Sequence, residues 1–236
     1  MKPQYSLFSD KGGRLMNEDC AAVFTSRRAQ CYVLCDGLGG HGLGDIASRC
    51  VTGFIGDAFR RGTLGDDILA KAHRDLCERQ SEQGVTGKMR TTAVVLTIDG
   101  DRALCTHIGD SRLYHFRGGE VLWHTRDHSI PQMLVLTGEI SEDEIRSHPD
   151  RNKLLRALGD EREEIKYESK HFSVQDGDAF LLCSDGFWEP VTEREMTAAL
   201  QASTSAKQWL CRMADLAARN SAGKTMDNYT AIAVMR

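Results

Sequence analysis

Three aspartates stand where hydrophobic runs end or begin. Asp36 closes the run Cys31–Cys35 and opens the turn Gly37-Leu38-Gly39-Gly40-His41. Asp185 closes Ala179–Ser184 and is followed by Gly186, while Asp227 stands just ahead of Tyr229–Val234. Glu18 and Asp19 form an acidic pair nearer the start. Carboxylates fixed at strand ends and converging on one point repel one another unless a cation lies between them. A site built only from oxygen suits hard divalent ions, Mg²⁺ or Mn²⁺. Such ions assist the hydrolysis of phosphate esters, the reaction class to which these residues point.

The neighbouring residues extend that chemistry, although each short motif also has a plainer use. Glycines 37, 39 and 40 let backbone approach a ligand and offer a carbonyl to a metal; the same hexapeptide serves equally as a strand-to-helix turn. Arg14 sits four residues ahead of Glu18, and a guanidinium fork matches a phosphoryl group; alone, Arg14–Asp19 reads as a solvated loop. Ser184-Asp185-Gly186 and Asp227-Asn228 are common turn sequences. Gly109-Asp110-Ser111-Arg112, between two strands, is either a turn or a further metal ligand. His41 is a candidate general acid. His128 and His148 fall on a long segment described below, and the other five histidines read as structural or solvated.

Other routes to phosphate chemistry fail on spacing. A cysteine phosphatase needs Cys-x5-Arg, and no cysteine here has arginine six positions later; after Cys105 that place is Ser111. Gly109-Asp110 continues as Ser111-Arg112, without the histidine of the Gly-Asp-x-His-Gly phosphoesterases, and no Walker loop occurs. The net charge of −4 over 236 residues gives no bulk attraction to nucleic acid or an anionic membrane. The eight cysteines sit mostly in apolar runs without a Cys-x-x-Cys pair, which argues against a thiolate zinc site. No apolar run reaches the ~18–20 residues of a membrane span. The start of the chain lacks a signal-peptide core. Together these features predict a cytoplasmic protein.

The elements that must aim these side chains can be read from periodicity. Thr92–Ile98 and Arg102–Ile108 flank Asp99-Gly100-Asp101, and Arg112–Arg117 and Glu120–His124 flank Gly118-Gly119; both are hairpin signals, so the sheet is antiparallel. Leu43–Arg61 carries a helical apolar stripe, with a weaker one in Asp66–Gln83. Ser141–Glu144 and Thr192–Glu195 fit capping boxes; the second opens a helix to about Gln201, and Ser205–Ser221 forms another. The expected architecture is α+β: an antiparallel β-sandwich flanked by helix pairs, in one domain over residues 1–236. The stretch 127–152, read as mostly short polar helical signals, is either a flap beside the site or an ordinary helical connection.

Taken in order, Arg14…Asn17-Glu18-Asp19, Asp36-Gly37-Leu38-Gly39-Gly40-His41, Thr91-Thr92-Ala93, Gly109-Asp110-Ser111-Arg112, Asp127-His128-Ser129, Ser184-Asp185-Gly186 and Asp227-Asn228 resemble the metal-dependent serine/threonine protein phosphatases of the PPM, or type 2C, family in their compact bacterial form. The resemblance runs from about Ser6 to Val234. It implies α-β-β-α layers and a binuclear Mn²⁺ or Mg²⁺ centre. Asp36 would bridge the ions, the Gly37 carbonyl would bind one, and Asp185 and Asp227 the other. Glu18 and Asp19 would act through water, Asp110 would help hold a third, weaker ion, and Arg14 would grip the substrate phosphate. A water activated by the ions would attack directly, with no phosphoenzyme.

The resemblance also implies phosphorylated proteins as substrates, a cognate Hanks-type kinase, a monomer, and in some proteobacteria a link to type VI secretion. Two positions depart from the pattern. Leu38 occupies the place of the histidine that follows Asp-Gly in many eukaryotic members, and Arg90 that of the usual glycine before Thr-Thr. Three rival readings are a phosphatase-like binding protein without turnover, a metal phosphodiesterase or nucleotide hydrolase, and a metal-free structural domain.

Overall fold

The computed structural model describes residues 2–39, 42–161 and 164–236. Among the described residues ten strands form two five-stranded antiparallel sheets. One has the order β1 (Gln4–Asp10), β10 (Tyr229–Met235), β9 (Ala179–Cys183), β6 (Arg112–Arg117), β7 (Glu120–His124). The other runs β2 (Asp19–Thr25), β3 (Ala29–Asp36), β4 (Ala93–Asp99), β5 (Arg102–Ile108), β8 (Glu168–Ser173). Both hairpins read from the sequence are present, β4–β5 and β6–β7.

Period-2 alternation sends each central strand's side chains into two different cores. Tyr32 and Leu34 of β3 meet Phe180 and Leu182 of β9 and Ile232 of β10 between the sheets. Cys31, Val33 and Cys35 point the other way, onto α1 (Gly44–Arg61) and α2 (Ile68–Glu82). On the far side, Leu181, Ala231 and Ala233 pack against α5 (Glu193–Gln201) and α6 (Ala206–Asn220), around Trp209. The layers are therefore helix, sheet, sheet, helix, the α+β sandwich expected.

Helix ends follow local chemistry. Thr192 and Glu195 make the anticipated capping box, and Ser205 accepts from Gln208 N to start α6. Gly62 takes a left-handed conformation (φ 68°) and closes α1 with a bond from its N–H to Ala58 O. The Ser141–Glu144 capping box also forms, but it opens a 3-10 turn, Glu142–Ser147.

The stretch between β7 and β8 departs from its reading as mostly polar. Its helix α3 (Ile130–Thr137) has the sequence IPQMLVLT and exposes Met133 and Leu136. Antiparallel bridges Thr91–Leu158 and Ser129–Leu154 tie this stretch down. Among the described residues no helix is long and apolar enough to cross a membrane, and all eight cysteines are free thiols.

Candidate metal centre

The acidic residues gather at one end of the sandwich because antiparallel pairing brings strand starts beside strand ends. Asp36 is the last residue of β3 and lies opposite Asp19, the first of β2. In the other sheet β9 ends beside the start of β10, with Cys183 paired to Ala231, which brings Asp185 and Asp227 to the same end. Asp185 opens the short helix α4 (Asp185–Trp188). Asp110 sits in the turn from β5 to β6. Glu18, Asp36, Gly37, Asp110, Asp185 and Asp227 line one cleft of about 710 Å³, together with Arg14, Arg90 and Asn152.

Backbone contacts fix these groups from behind. The Asp36 N–H donates to Thr92 Oγ1 (3.0 Å), and the Asp36 carbonyl accepts from Thr91 Oγ1 and Thr92 N–H, both 2.8 Å. The Thr-Thr motif thus acts as a bracket for Asp36. Asn228 accepts from Glu18 N–H (2.8 Å) and donates to the Lys11 and Met16 carbonyls, so it holds the loop bearing Arg14 and Glu18. Glycine is required at position 37, where a Cβ would lie 2.3 Å from the backbone oxygen of Gly44.

A second layer holds Asp110. Its carbonyl accepts from Trp188 Nε1 (3.0 Å). The Arg112 guanidinium lies 3.5 Å from the centre of a Trp188 ring and forks onto Asp127 through two 2.8 Å bonds. His128 clamps Gly109 twice: its N–H donates to Gly109 O (2.8 Å) and its Nδ1 accepts from Gly109 N–H (3.1 Å). The sequence showed Asp127-His128-Ser129 as a motif without a use. Its use is to grip the turn that carries Asp110. Trp188 carried no signal of its own in the sequence.

The electrostatics of the cleft favour a cation. Burial pushes Asp36 well above the usual carboxylate range, and the charges of Asp19, Asp185, Asp110 and Asp227 push it further. Asp185 is raised in the same way, by burial, Asp110, Glu189 and Asp227. Burial and Asp127 lift Asp110 to about 7, and burial lifts Asp19 to about 6 against hydrogen bonds from Thr230 and Ser184. Burial, then Asp45 and Asp227, also raise Glu18. Such crowding costs stability unless opposite charge enters.

Asp19 Oδ2 accepts from Ser184 Oγ (2.8 Å), whereas buried Oδ1 has no hydrogen-bond partner among the described residues. A buried acceptor without a donor, in an all-oxygen site, fits a hard divalent ion.

Arg14 lies in the cleft as expected, but its fork closes on Asp227, with Nε–Oδ1 at 2.8 Å and Nη2–Oδ2 at 2.6 Å. Both side chains remain partly exposed, so the pair is open to exchange. His41 lies outside the described residues. Leu38 lines the cleft, and its N–H donates to Arg90 O (2.9 Å).

A second group of ligand types, His107, His128 and Glu168, gathers within 4.8 Å. Its hydrogen bonds argue against a metal there. His128 Nδ1 accepts from Gly109, so the neutral ring carries its proton on Nε2, the nitrogen facing Glu168 at 3.5 Å. Burial and His107 hold His128 down to about 3, so it stays neutral.

A sandwich of two five-stranded sheets with a carboxylate cleft at one end defines the class. The family model for protein phosphatase 2C matches residues 11–229, and the chain belongs to that family. It is 34% identical over 97% of its length to the serine/threonine protein phosphatase PstP of Mycobacterium tuberculosis, of which it spans only 44%. It is 33% identical to the serine/threonine phosphatase stp of Listeria monocytogenes, covering 97% of this chain and 94% of that protein.

Among solved structures, serine/threonine phosphatase Stp1 of Staphylococcus aureus superposes with a TM-score of 0.90 at 27% identity, covering 100% of this chain and 96% of that one. A PstP catalytic domain in complex with two manganese ions gives 0.82 at 28% identity, covering 100% and 99%. PppA of Pseudomonas aeruginosa, a key regulatory component of T6SS, gives 0.79 at 28% identity, covering 100% and 98%.

Proposed function

We propose that this chain hydrolyses phosphoserine and phosphothreonine in proteins at the carboxylate cleft. The observation that carries this is the gathering of Glu18, Asp36, Asp110, Asp185 and Asp227 with Arg14 in one cleft. Asp36 would be shared between two Mn²⁺ or Mg²⁺ ions, with the Gly37 carbonyl, Asp185 and Asp227 completing their direct donors. Glu18 and Asp19 would contribute from behind, and Asp110 would serve a third, weaker ion. The manganese-bound neighbour supports this reading. Bound there, the ions supply the positive charge that lets a water attack a phosphate dianion and that neutralises the phosphoryl oxygens.

The protein's own groups do the rest. Arg14 exchanges Asp227 for the substrate phosphoryl group, which its fork holds for attack. Thr91 and Thr92 keep Asp36 aimed, and Trp188, Arg112 and His128 keep Asp110 aimed. His41 is the candidate donor of a proton to the leaving alkoxide. Residues 127–152 form a flap beside the cleft whose base is pinned by Asp127 and His128, a role supported by the position of Asn152 on the cleft wall. The protein works as a cytoplasmic monomer against a Hanks-type kinase. The PppA likeness supports a role beside type VI secretion.

The test is phosphate release from a phosphothreonine peptide with Mn²⁺ and with EDTA, beside Asp185→Ala. Release that needs Mn²⁺ and disappears in the variant supports the reading. Cleavage confined to cyclic or dinucleotides would replace it with a phosphodiesterase.

A further inference from the structure

Among the described residues, two arginines line the main cleft, Arg14 and Arg90. The first is accounted for by the substrate phosphoryl group. The second stands on a different element. The Arg90 carbonyl accepts from Leu38 N–H (2.9 Å), and Arg90 immediately precedes the Thr91-Thr92 bracket around Asp36. Its backbone is therefore fixed against the wall of the cleft.

Its charge is only partly engaged. Nη2 lies 2.7 Å from Asp160 Oδ1, and buried Nε has no hydrogen-bond partner among the described residues. The side chain is 29% exposed. Nη2 is thus turned to a carboxylate outside the metal cluster rather than to Asp36 or Asp110. A partly exposed guanidinium on the wall of a substrate cleft is suited to a second anion, which would meet its exposed edge and not the buried Nε.

We propose that Arg90 is a specificity-determining residue that recognises a second anionic group on the phosphoprotein, close in sequence to the phosphorylated residue. The shared chemistry is an oxyanion presented beside the scissile phosphate. It is either an aspartate or glutamate carboxylate or a second phosphate. The inference rests on the phosphatase reading of the cleft.

The test uses three phosphothreonine peptides that differ at one neighbouring position: alanine, aspartate or a second phosphothreonine. Phosphate release is measured with Mn²⁺ for the unmodified protein, Arg90→Ala and Arg90→Lys. The unmodified protein is expected to favour the peptides with a second anionic group by roughly fivefold to tenfold in kcat/KM, mostly through KM. Arg90→Ala brings that ratio to about one and Arg90→Lys restores part of it. Because the ratio is internal to each variant, a loss of fold or metal lowers every arm together and leaves it unchanged. Preference for aspartate or for phosphate identifies which oxyanion is read.

Equal rates on all peptides by the unmodified protein overturn the proposal. So does a preference that survives in Arg90→Ala, which would assign the second anion to the adjoining groove lined by Arg151 and Lys224. Failure of the unmodified protein to cleave any peptide would instead reject the phosphatase reading itself.

Discussion

Asp19 and Asp36 face each other across the β2–β3 ladder, two carboxylates at directly paired positions. Like charges placed opposite one another destabilise a sheet. Here the pair stands at the mouth of the strands, with Asp19 Oδ1 buried and unpaired. The ladder accepts this penalty where a cation would remove it. Mn²⁺ at about 100 times its Kd should stabilise the fold by about 2.7 kcal/mol. For a domain of this size that raises Tm by roughly 5–10 °C over EDTA. Asp19→Asn should shrink the shift. Melting curves with and without metal decide the point.

Removing a direct donor should cost activity without costing the fold. Asp36→Ala and Asp185→Ala are each expected to lower turnover by about three orders of magnitude, the equivalent of about 4 kcal/mol of transition-state stabilisation. Each also removes one of several repelling carboxylates, so the metal-free protein should melt no lower than the parent. Unchanged turnover in either purified variant would rule out its place as a ligand.

Arg14 has two partners to choose between. In this structure it holds Asp227; during turnover it would hold phosphate. Arg14→Ala should therefore raise KM roughly tenfold, the worth of one charge-assisted contact. It should also leave Mn²⁺ affinity equal or tighter, since Asp227 no longer has a competitor. Steady-state kinetics and a metal titration separate the two effects, and an unchanged KM would remove Arg14 from the phosphate site.

The pair behind Asp110 is a structural commitment. Arg112 and Asp127 are both almost fully buried, and each depends on the other. Asp127→Ala leaves a guanidinium buried with a weaker set of partners, at a cost of about 3–5 kcal/mol. Chemical denaturation should show that loss. Double replacement by apolar residues should recover much of it.

Asp178 should contribute to the acid sensitivity of the fold. Burial opposes its charge, but the Arg117 fork (2.8 and 2.9 Å), the Gln175 N–H and His115 together hold it below its ordinary value. Stability from a depressed carboxylate is present above the unfolded value of 3.8 and disappears as pH falls through the folded one. Asp178→Asn should cost about 2 kcal/mol near neutrality. It should also flatten the dependence of stability on pH below about 4. Urea midpoints across that range would show an unchanged slope if the assignment were wrong.

The central strands and long helices were legible because burial writes directly into sequence. β3, β9 and β10 are apolar runs, and α1 and α6 carry apolar stripes. The strands that escaped notice, β1, β2 and β8, are edge strands. β1 and β8 face solvent with most of their residues, so alternation is broken by side chains such as Lys170 and His171. The short helix α4 is only one turn, too brief for a periodic signal. The acidic residues of the site were visible as strand-end aspartates. Their supports were not, because the dependence of Asp110 on Trp188 and of Gly109 on His128 arises only when distant segments meet.

The inter-sheet layer sets more than stability. Asp36 extends from the sheet that contributes Tyr32 and Leu34 to that layer, whereas Asp185 and Asp227 adjoin the strands that contribute Leu182 and Ile232. The gap spanned by the carboxylates is therefore gauged by the thickness of a hydrocarbon layer that never touches substrate. The sandwich works as a caliper whose jaws are acidic, and the calibration lies in its packing. Trimming Leu182 would reset the opening between those jaws, far from any residue that a substrate touches.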